Sequence, residues 1–470
     1  MSRWMAELVD LWRLAVPVIV ARAGIMTMAL VDTVMVGRFS AEELAFQSIA
    51  NAVTGSLLTT LLGLLLGTLV MTARMFGAGE HAECGAVWRR AVLYAFALGL
   101  AGGTLCALGE PLLLAFGQSP EIAAGGGAVM MVFGLALPPA LIGIATTFFL
   151  EGIRRPLPGM IVAVLANLLN VFLNWVLVWG NLGAPSLGAV GAAAATALVR
   201  TAMMLALVAY VWWMADHERF GVRRRRPWRW AAGAEQRRVG YGASVSIGVE
   251  TTAFGGLSIL AGWLGVLALA ATSIAFNVVA TSFMVALGLA SATGVRVGIA
   301  AGRRDPDGIA RAGWTGLGAA ASVMALIGVV LALFPETIAG FYTSEAALLA
   351  TAAPLVALCA LLLVPDGGQV VMAHALRGRG DNLAPTLLHI CSYLLLMLPL
   401  SWALAFPAGR GVAGLWEGAI AASVFSVTVL SLRFRHLNRR TRRWLTGKEA
   451  FSKETGHGGE EERGSGAQEA

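Results

Sequence analysis

The chain has 470 residues, of which 57% are hydrophobic and only 13% charged, with a mean hydropathy of +0.74. That balance excludes a water-soluble globular enzyme and describes a chain whose solvent is mostly lipid. The net charge of +7 and pI near 9.7 would suit a nucleic-acid binder, but the basic residues fall in short loops between apolar runs, where they set membrane topology, so no nucleic-acid partner is expected.

A helix needs about 20 apolar residues to cross the hydrocarbon layer of a bilayer. Runs of that kind occupy 12–37, 45–73, 88–108, 126–150, 158–180 and 188–214, then 239–264, 270–298, 312–334, 346–376, 384–406 and 412–434. Each is expected to be helical, because a single span in lipid satisfies its backbone no other way. Residues 1–11 form a short leading segment, and the first run is too long, and lacks the cleavage site, for a signal peptide. Residues 215–238 are a basic linker, with the run Arg223-Arg224-Arg225-Arg226 and the pair Arg237-Arg238. It separates a first lobe, 12–214, from a second, 239–436. Residues 437–470 turn rich in Gly, Glu, Lys and Ser and are expected to be disordered. Cys84, Cys106, Cys359 and Cys391 have no metal-binding spacing and read as free thiols.

Arg74, Arg89, Arg90, Arg154, Arg155, the linker arginines, Arg303, Arg304, Arg311, Arg377 and Arg379 flank alternate loops, whereas the opposite loops carry only Arg38 and Arg410 beside the acids Glu42, Glu43, Glu110, Glu121, Glu336 and Glu345. The asymmetry places both termini and the linker on the cytoplasmic side.

The two lobes align at an offset of about 225 residues. Leu44-Ala45 meets Leu269-Ala270, Gly63 meets Gly288, Gly77 meets Gly302, and Phe116 and Ser119 meet Phe341 and Ser344. Six spans per copy make parallel repeats related by an axis along the membrane normal, a plan suited to rocking-type alternating access. The fold expected is therefore an all-α polytopic membrane protein with twelve transmembrane helices in two pseudo-symmetric six-helix bundles.

A charge at mid-bilayer costs about 2.5–3.5 kcal/mol on the mildest scale, so intramembrane carboxylates need a partner, a wet cavity or a function. Asp32 lies late in the first span, Glu250 midway along the seventh and Asp366 in the tenth, beside Pro365. Their repeat-mates are Leu257, Ile25 and Leu141, so the scaffold is duplicated and the acids are not. A carboxyl withdrawn from water favours its neutral form and can load and release a proton. The helix carbonyl freed by Pro365, together with Asp366, could instead ligate a cation such as Na+. Asn167, Asn170 and Asn174 share one face of the fifth span. Asn170, Asn174, Asn277, Gln369 and Arg22 are candidates for a substrate cavity. Arg200 is a second charge within a span, and His374 and His389 fall near span ends and read as interfacial.

The segments Pro17 with Val31-Asp32-Thr33-Val34-Met35-Val36-Gly37-Arg38, Gly77-Ala78-Gly79, Glu151-Gly152-Ile153-Arg154-Arg155-Pro156, Asn170-Val171-Phe172-Leu173-Asn174 and Ala375-Leu376-Arg377-Gly378-Arg379-Gly380-Asp381, in that order over twelve spans, resemble the multidrug and toxic compound extrusion (MATE) transporters. Glu250 and Asp366 match the seventh-span glutamate and tenth-span aspartate of its NorM-like branch. The resemblance implies an antiporter of the bacterial inner membrane, not an enzyme. It would export cationic or amphipathic drugs or metabolites in exchange for Na+ or H+, with no cofactor and as a monomer among lipids. Glu250, Asp366 and Asp32 would couple the ion. Arg22 stands where the family pattern leads one to expect a neutral polar residue. A flippase for lipid-linked saccharides, built on a similar two-lobe plan, stays open as the alternative.

Overall fold

A computed structural model describes residues 3–224 and 230–457. Residues 1–2, linker residues 225–229 and tail residues 458–470 lie outside the described residues. Among the described residues, twelve helices are long and apolar enough to cross a membrane. They are α1 (Trp4–Phe39), α2 (Ala41–Gly77), α3 (His81–Ala107), α4 (Pro120–Gly152), α5 (Leu157–Leu177), α6 (Gly188–Trp213), α7 (Trp230–Trp263), α8 (Val266–Gly302), α9 (Pro306–Leu333), α10 (Ala346–Arg379), α11 (Leu383–Ala405) and α12 (Gly411–Thr441). Helices such as α1, α2 and α8 outrun the apolar segments that nucleate them. At 1.5 Å per residue the 37 residues of α2 span about 55 Å, well beyond the roughly 30 Å hydrocarbon layer.

Local chemistry sets many of the ends. Ser40 caps α2 by accepting from the Glu42 amide at 3.2 Å, and Asp305 caps α9 by accepting from the Gly308 amide at 2.8 Å, with Pro306 in the first turn. Gly380 ends α10 at φ 109°, a left-handed conformation that suits glycine. The last helix continues to His457, so the tail expected to be disordered from 437 starts as helical backbone. Arg379 donates to the Leu437 carbonyl at 2.7 Å and to Thr441 at 2.5 Å, and it also bonds Asn438. These tertiary bonds hold a polar extension that composition alone reads as unstructured. The described start of the linker is likewise docked. Phe220 is fully buried beside Phe76, and Arg89 donates to the Val222 carbonyl at 2.9 Å.

Helices α1–α6 and α7–α12 form the two lobes, with the densest packing inside each: α3 and α2 on α4, and α8 and α9 on α10. The lobes meet through α1, α2, α7 and α8, and the repeated glycines make that contact. A Cβ on Gly77 would strike the Ile299 carbonyl of α8, and one on its repeat-mate Gly302 would strike the Arg74 carbonyl of α2. Gly63 meets Ser244 of α7, and its mate Gly288 meets Ile19 of α1. Small residues let the backbones approach this closely in lipid, and the reciprocal pairing is what a twofold repeat requires.

The seam is closed toward one face. Gln236 donates to Thr68 at 3.1 Å and Ser244 to the Thr60 carbonyl at 2.9 Å. At the very end Arg74 pairs with Glu235, and Arg296 of α8 pairs with Glu7 and Asp10 of α1. This is the basic face. Along α7 the stripe Gln236, Gly240, Ser244 continues as Gly248 and Gly255, and at both of these an added Cβ would meet nothing, as at Gly55 of α2. The lobes therefore diverge as a V that opens away from the basic face.

Candidate functional site

The first lobe holds a cavity of about 380 Å³, lined among others by Arg22, Asp32, Asn51, Thr59, Glu151 and Arg200. Late in α1, Asp32 is 9% exposed. One of its oxygens accepts from Asn170 at 3.0 Å and Asn174 at 2.6 Å, and the other accepts from Thr196 of α6 at 2.7 Å. The polar stripe on α5 thus supplies two of its three asparagines. The third, Asn167, donates to its own helix at Ala163 and does not join Asp32. Arg200, one helical turn beyond Thr196, attracts Asp32 and lies 4.6 Å over the Phe133 ring, with Nη1 buried and unbonded. Asp32 is thus a carboxylate held by three side-chain donors, with a buried arginine one turn beyond one of them.

Toward the closed end of the cavity, Arg22 lies 3.9 Å from Glu151 and 5.4 Å over the Phe148 ring. The other Glu151 oxygen accepts from Ser291 of α8, across the seam, at 2.5 Å. Hydropathy ends the fourth span at 150, so the sequence shows Glu151 only within the segment Glu151–Pro156 that carries the family resemblance. One turn of helix is enough to carry it inside, where it is 3% exposed.

The second lobe builds its site from α7, α10, α11 and α12. Asp366 is 3% exposed, and Gln369, Tyr393, Ser423 and Ser426 are fully buried around it. Gln369 donates to Asp366 at 3.3 Å and to the Tyr393 hydroxyl, while its own carbonyl accepts from Ser426 at 3.1 Å. Tyr393 in turn donates to Glu250 at 3.3 Å. The two carboxylates that the sequence placed on separate spans are therefore joined through one tyrosine and one glutamine. Glu250, on α7, is half-buried. Tyr393 sits in a π-helical turn, Ile390–Met397, inside α11. Such turns recur at functional sites, and Pro399, which follows, cannot donate a hydrogen bond to the widened turn.

Several sequence expectations change. Asn277 lies on the exposed flank of α8 and donates to the Ser273 carbonyl at 2.9 Å, apart from the Asp366 cluster. His374 and His389, read as interfacial, are 8% and 3% exposed. The helices α10 and α11 continue past the assumed interface, and His389 packs edge-on against Tyr393 at 5.7 Å. Arg377, read as a loop cation, is 3% exposed and donates to Ser246 of α7 at 2.8 Å. Tyr393, Thr196, Ser423 and Ser426 carried no signal in the sequence beyond a hydroxyl within an apolar run.

A polar cluster lies inside each half of a duplicated bundle of helices long and apolar enough to cross a membrane, and the first opens on a cavity. That plan is the one found in a class of membrane transporters. The MatE family model matches residues 17–176 and again 245–403, one copy per lobe. The chain is 44% identical over 444 residues, covering 93% of each chain, to the "Probable multidrug resistance protein NorM" of Caulobacter vibrioides. It is 34% identical over 438 residues to the "Multidrug resistance protein NorM" of Burkholderia vietnamiensis, covering 91% of this chain and 94% of the relative. Among solved structures, a eukaryotic MATE transporter superposes with a TM-score of 0.85 at 19% identity over 94% of this chain and 99% of its own. An outward-facing multidrug resistance MATE family transporter superposes at 0.84 and 20%, over 93% and 96%. The chain belongs to the MATE transporter family.

Proposed function

We propose that the protein is a secondary antiporter of the bacterial inner membrane that exports cationic or amphipathic drugs or metabolites in exchange for Na+ or H+. The observation that carries the reading is the pair Glu250 and Asp366, set in the second lobe and joined through Tyr393 and Gln369. Two acids held together away from bulk water attract a monovalent cation, either a proton on one carboxyl or a sodium ion among their oxygens. The cavity of the first lobe, apolar over most of its wall and bearing Asp32, Asn51 and Thr59, suits an amphipathic organic guest. With the basic face in the cytoplasm, as the arginine asymmetry supports, both termini are cytoplasmic and the V is open to the outside. An ion entering down 100 mV releases about 2.3 kcal/mol per charge, which drives the lobes through the opposite opening. The names of the NorM relatives support multidrug efflux as the outcome.

The test is efflux of a fluorescent organic cation from proteoliposomes with sodium and pH gradients imposed separately. The wild type responds to at least one of them, and Glu250→Gln and Asp366→Asn lose that response. Full response in both variants would remove the mechanism.

A further inference from the structure

Two arginines of the membrane-spanning helices line the first-lobe cavity, Arg22 of α1 and Arg200 of α6. Each stacks on a phenylalanine of α4: Arg22 lies 5.4 Å over the Phe148 ring and Arg200 4.6 Å over the Phe133 ring. Those rings are fifteen residues apart on one helix, about 22 Å by helical rise, so the two arginines stand at opposite ends of the cavity. They also differ in their partners. Arg22 has Glu151 at 3.9 Å. Arg200 has no carboxylate within ion-pair distance among the described residues, and its buried Nη1 bonds nothing. The other acid lining the cavity is Asp32, whose two oxygens accept from Asn170, Asn174 and Thr196. Those bonds hold the carboxylate beyond the reach of Arg200.

Arg200 is near the middle of α6 (Gly188–Trp213), about 18 Å from either end by helical rise, too deep to extend its charge to a bilayer surface. A guanidinium at that depth faces a wet cavity or a partner. Its surroundings fit an organic partner. Phe133 covers one face of it, and Val129, Met203 and Leu58 add apolar wall beside it. An apolar pocket with a few polar groups fixes a guest by its body and orients it by those groups. The polar group left over here is a cation of the kind that pairs with carboxylates and other oxyanions. We propose that Arg200 reads an acid group on the guest, so that the first-lobe cavity takes amphipathic organic acids, zwitterions among them, in preference to the same molecules with the acid masked. The inference rests on the reading of this cavity as the guest's site in an antiporter, and it narrows that guest to one bearing an acid.

Equilibrium binding tests it. The full-length protein in phosphatidylcholine nanodiscs is titrated at pH 7 with dansylglycine and with dansylglycine amide, which share a fluorophore and differ in the carboxylate; empty nanodiscs give the lipid background. The wild type binds the acid at least about tenfold tighter than the amide, the size of one hydrogen bond to a charged group. Arg200→Gln brings the ratio of the two Kd values to about one. Arg200→Lys, which keeps the charge without the planar fork, retains part of the preference. A wild-type ratio near one overturns the proposal. So does a ratio that survives Arg200→Gln while both probes weaken together, the outcome expected of a purely structural arginine. If Arg200→Gln does not fold, Arg200→Gln/Asp32→Asn decides, since it removes the neighbouring opposite charge as well: a ratio of about one supports the proposal and a tenfold ratio overturns it. Binding needs no gradient. A tenfold wild-type preference with no gradient-driven efflux of any probe leaves this site standing and removes the antiporter reading. Gradient-driven efflux beside a binding ratio of one removes this site alone.

Discussion

The two lobes descend from one repeated unit yet treat their acids in opposite ways. In the first, Asp32 accepts from three side-chain donors and is attracted by Arg200. In the second, Asp366 and Glu250 share a tyrosine and a glutamine. A carboxylate that already has three donors has little to gain from an arriving cation, whereas two acids held together have much. Duplication provided the scaffold, and asymmetric substitution gave the two lobes different polar sites.

This contrast can be broken most directly at the acids themselves. Glu250→Gln or Asp366→Asn should abolish gradient-driven efflux, a loss of at least about tenfold, since one charge worth roughly 2.3 kcal/mol per 100 mV no longer enters. Asp32→Asn should leave the ion response in place and change the KM for substrate. If Asp32→Asn removes ion dependence while Asp366→Asn does not, the assignment of lobes is reversed. Next in size is Arg200→Met, which strands Asp32 without its cation. It should lower stability, read as a fall in Tm of the detergent-solubilised protein, and the double variant with Asp32→Asn should recover part of it.

Tyr393→Phe removes the hydroxyl between Glu250 and Gln369. Losing one partner of a buried polar network costs about 1–3 kcal/mol, so the ion concentration for half-maximal efflux should rise by roughly five- to a hundredfold with substrate KM little moved. The smallest effect is expected at the basic face. There Arg155 donates to Asp216 at 2.9 Å and 2.5 Å and holds its carboxyl below the ordinary value of 3.8. A carboxyl depressed in the folded state stabilises above its unfolded value and loses that contribution as pH falls through the folded one. Asp216→Asn should therefore cost less than about 1 kcal/mol at pH 7 and nothing in strong acid, in denaturation curves at the two pH values.

Twelve spans, the repeat and the acids Asp32, Glu250 and Asp366 were legible in the chain because lipid is an unforgiving solvent. It demands long apolar runs, and it makes an intramembrane charge or a recurring glycine conspicuous without any coordinates. What linear order could not show is which groups meet. Glu151 and Arg377 fall one residue past the apolar runs that mark their spans, and helices that overrun those runs carried both inside. Tyr393 was one aromatic in an apolar run until a π-turn in α11 aimed it between two carboxylates. Asn277 looked like Asn170 in sequence, yet one turns back on its own helix and the other binds Asp32. Hydropathy is a property of each segment by itself, so the sequence sufficed for the spans. The surroundings of a charge depend on the neighbours that packing supplies, so the tertiary structure alone decided which polar groups each acid meets.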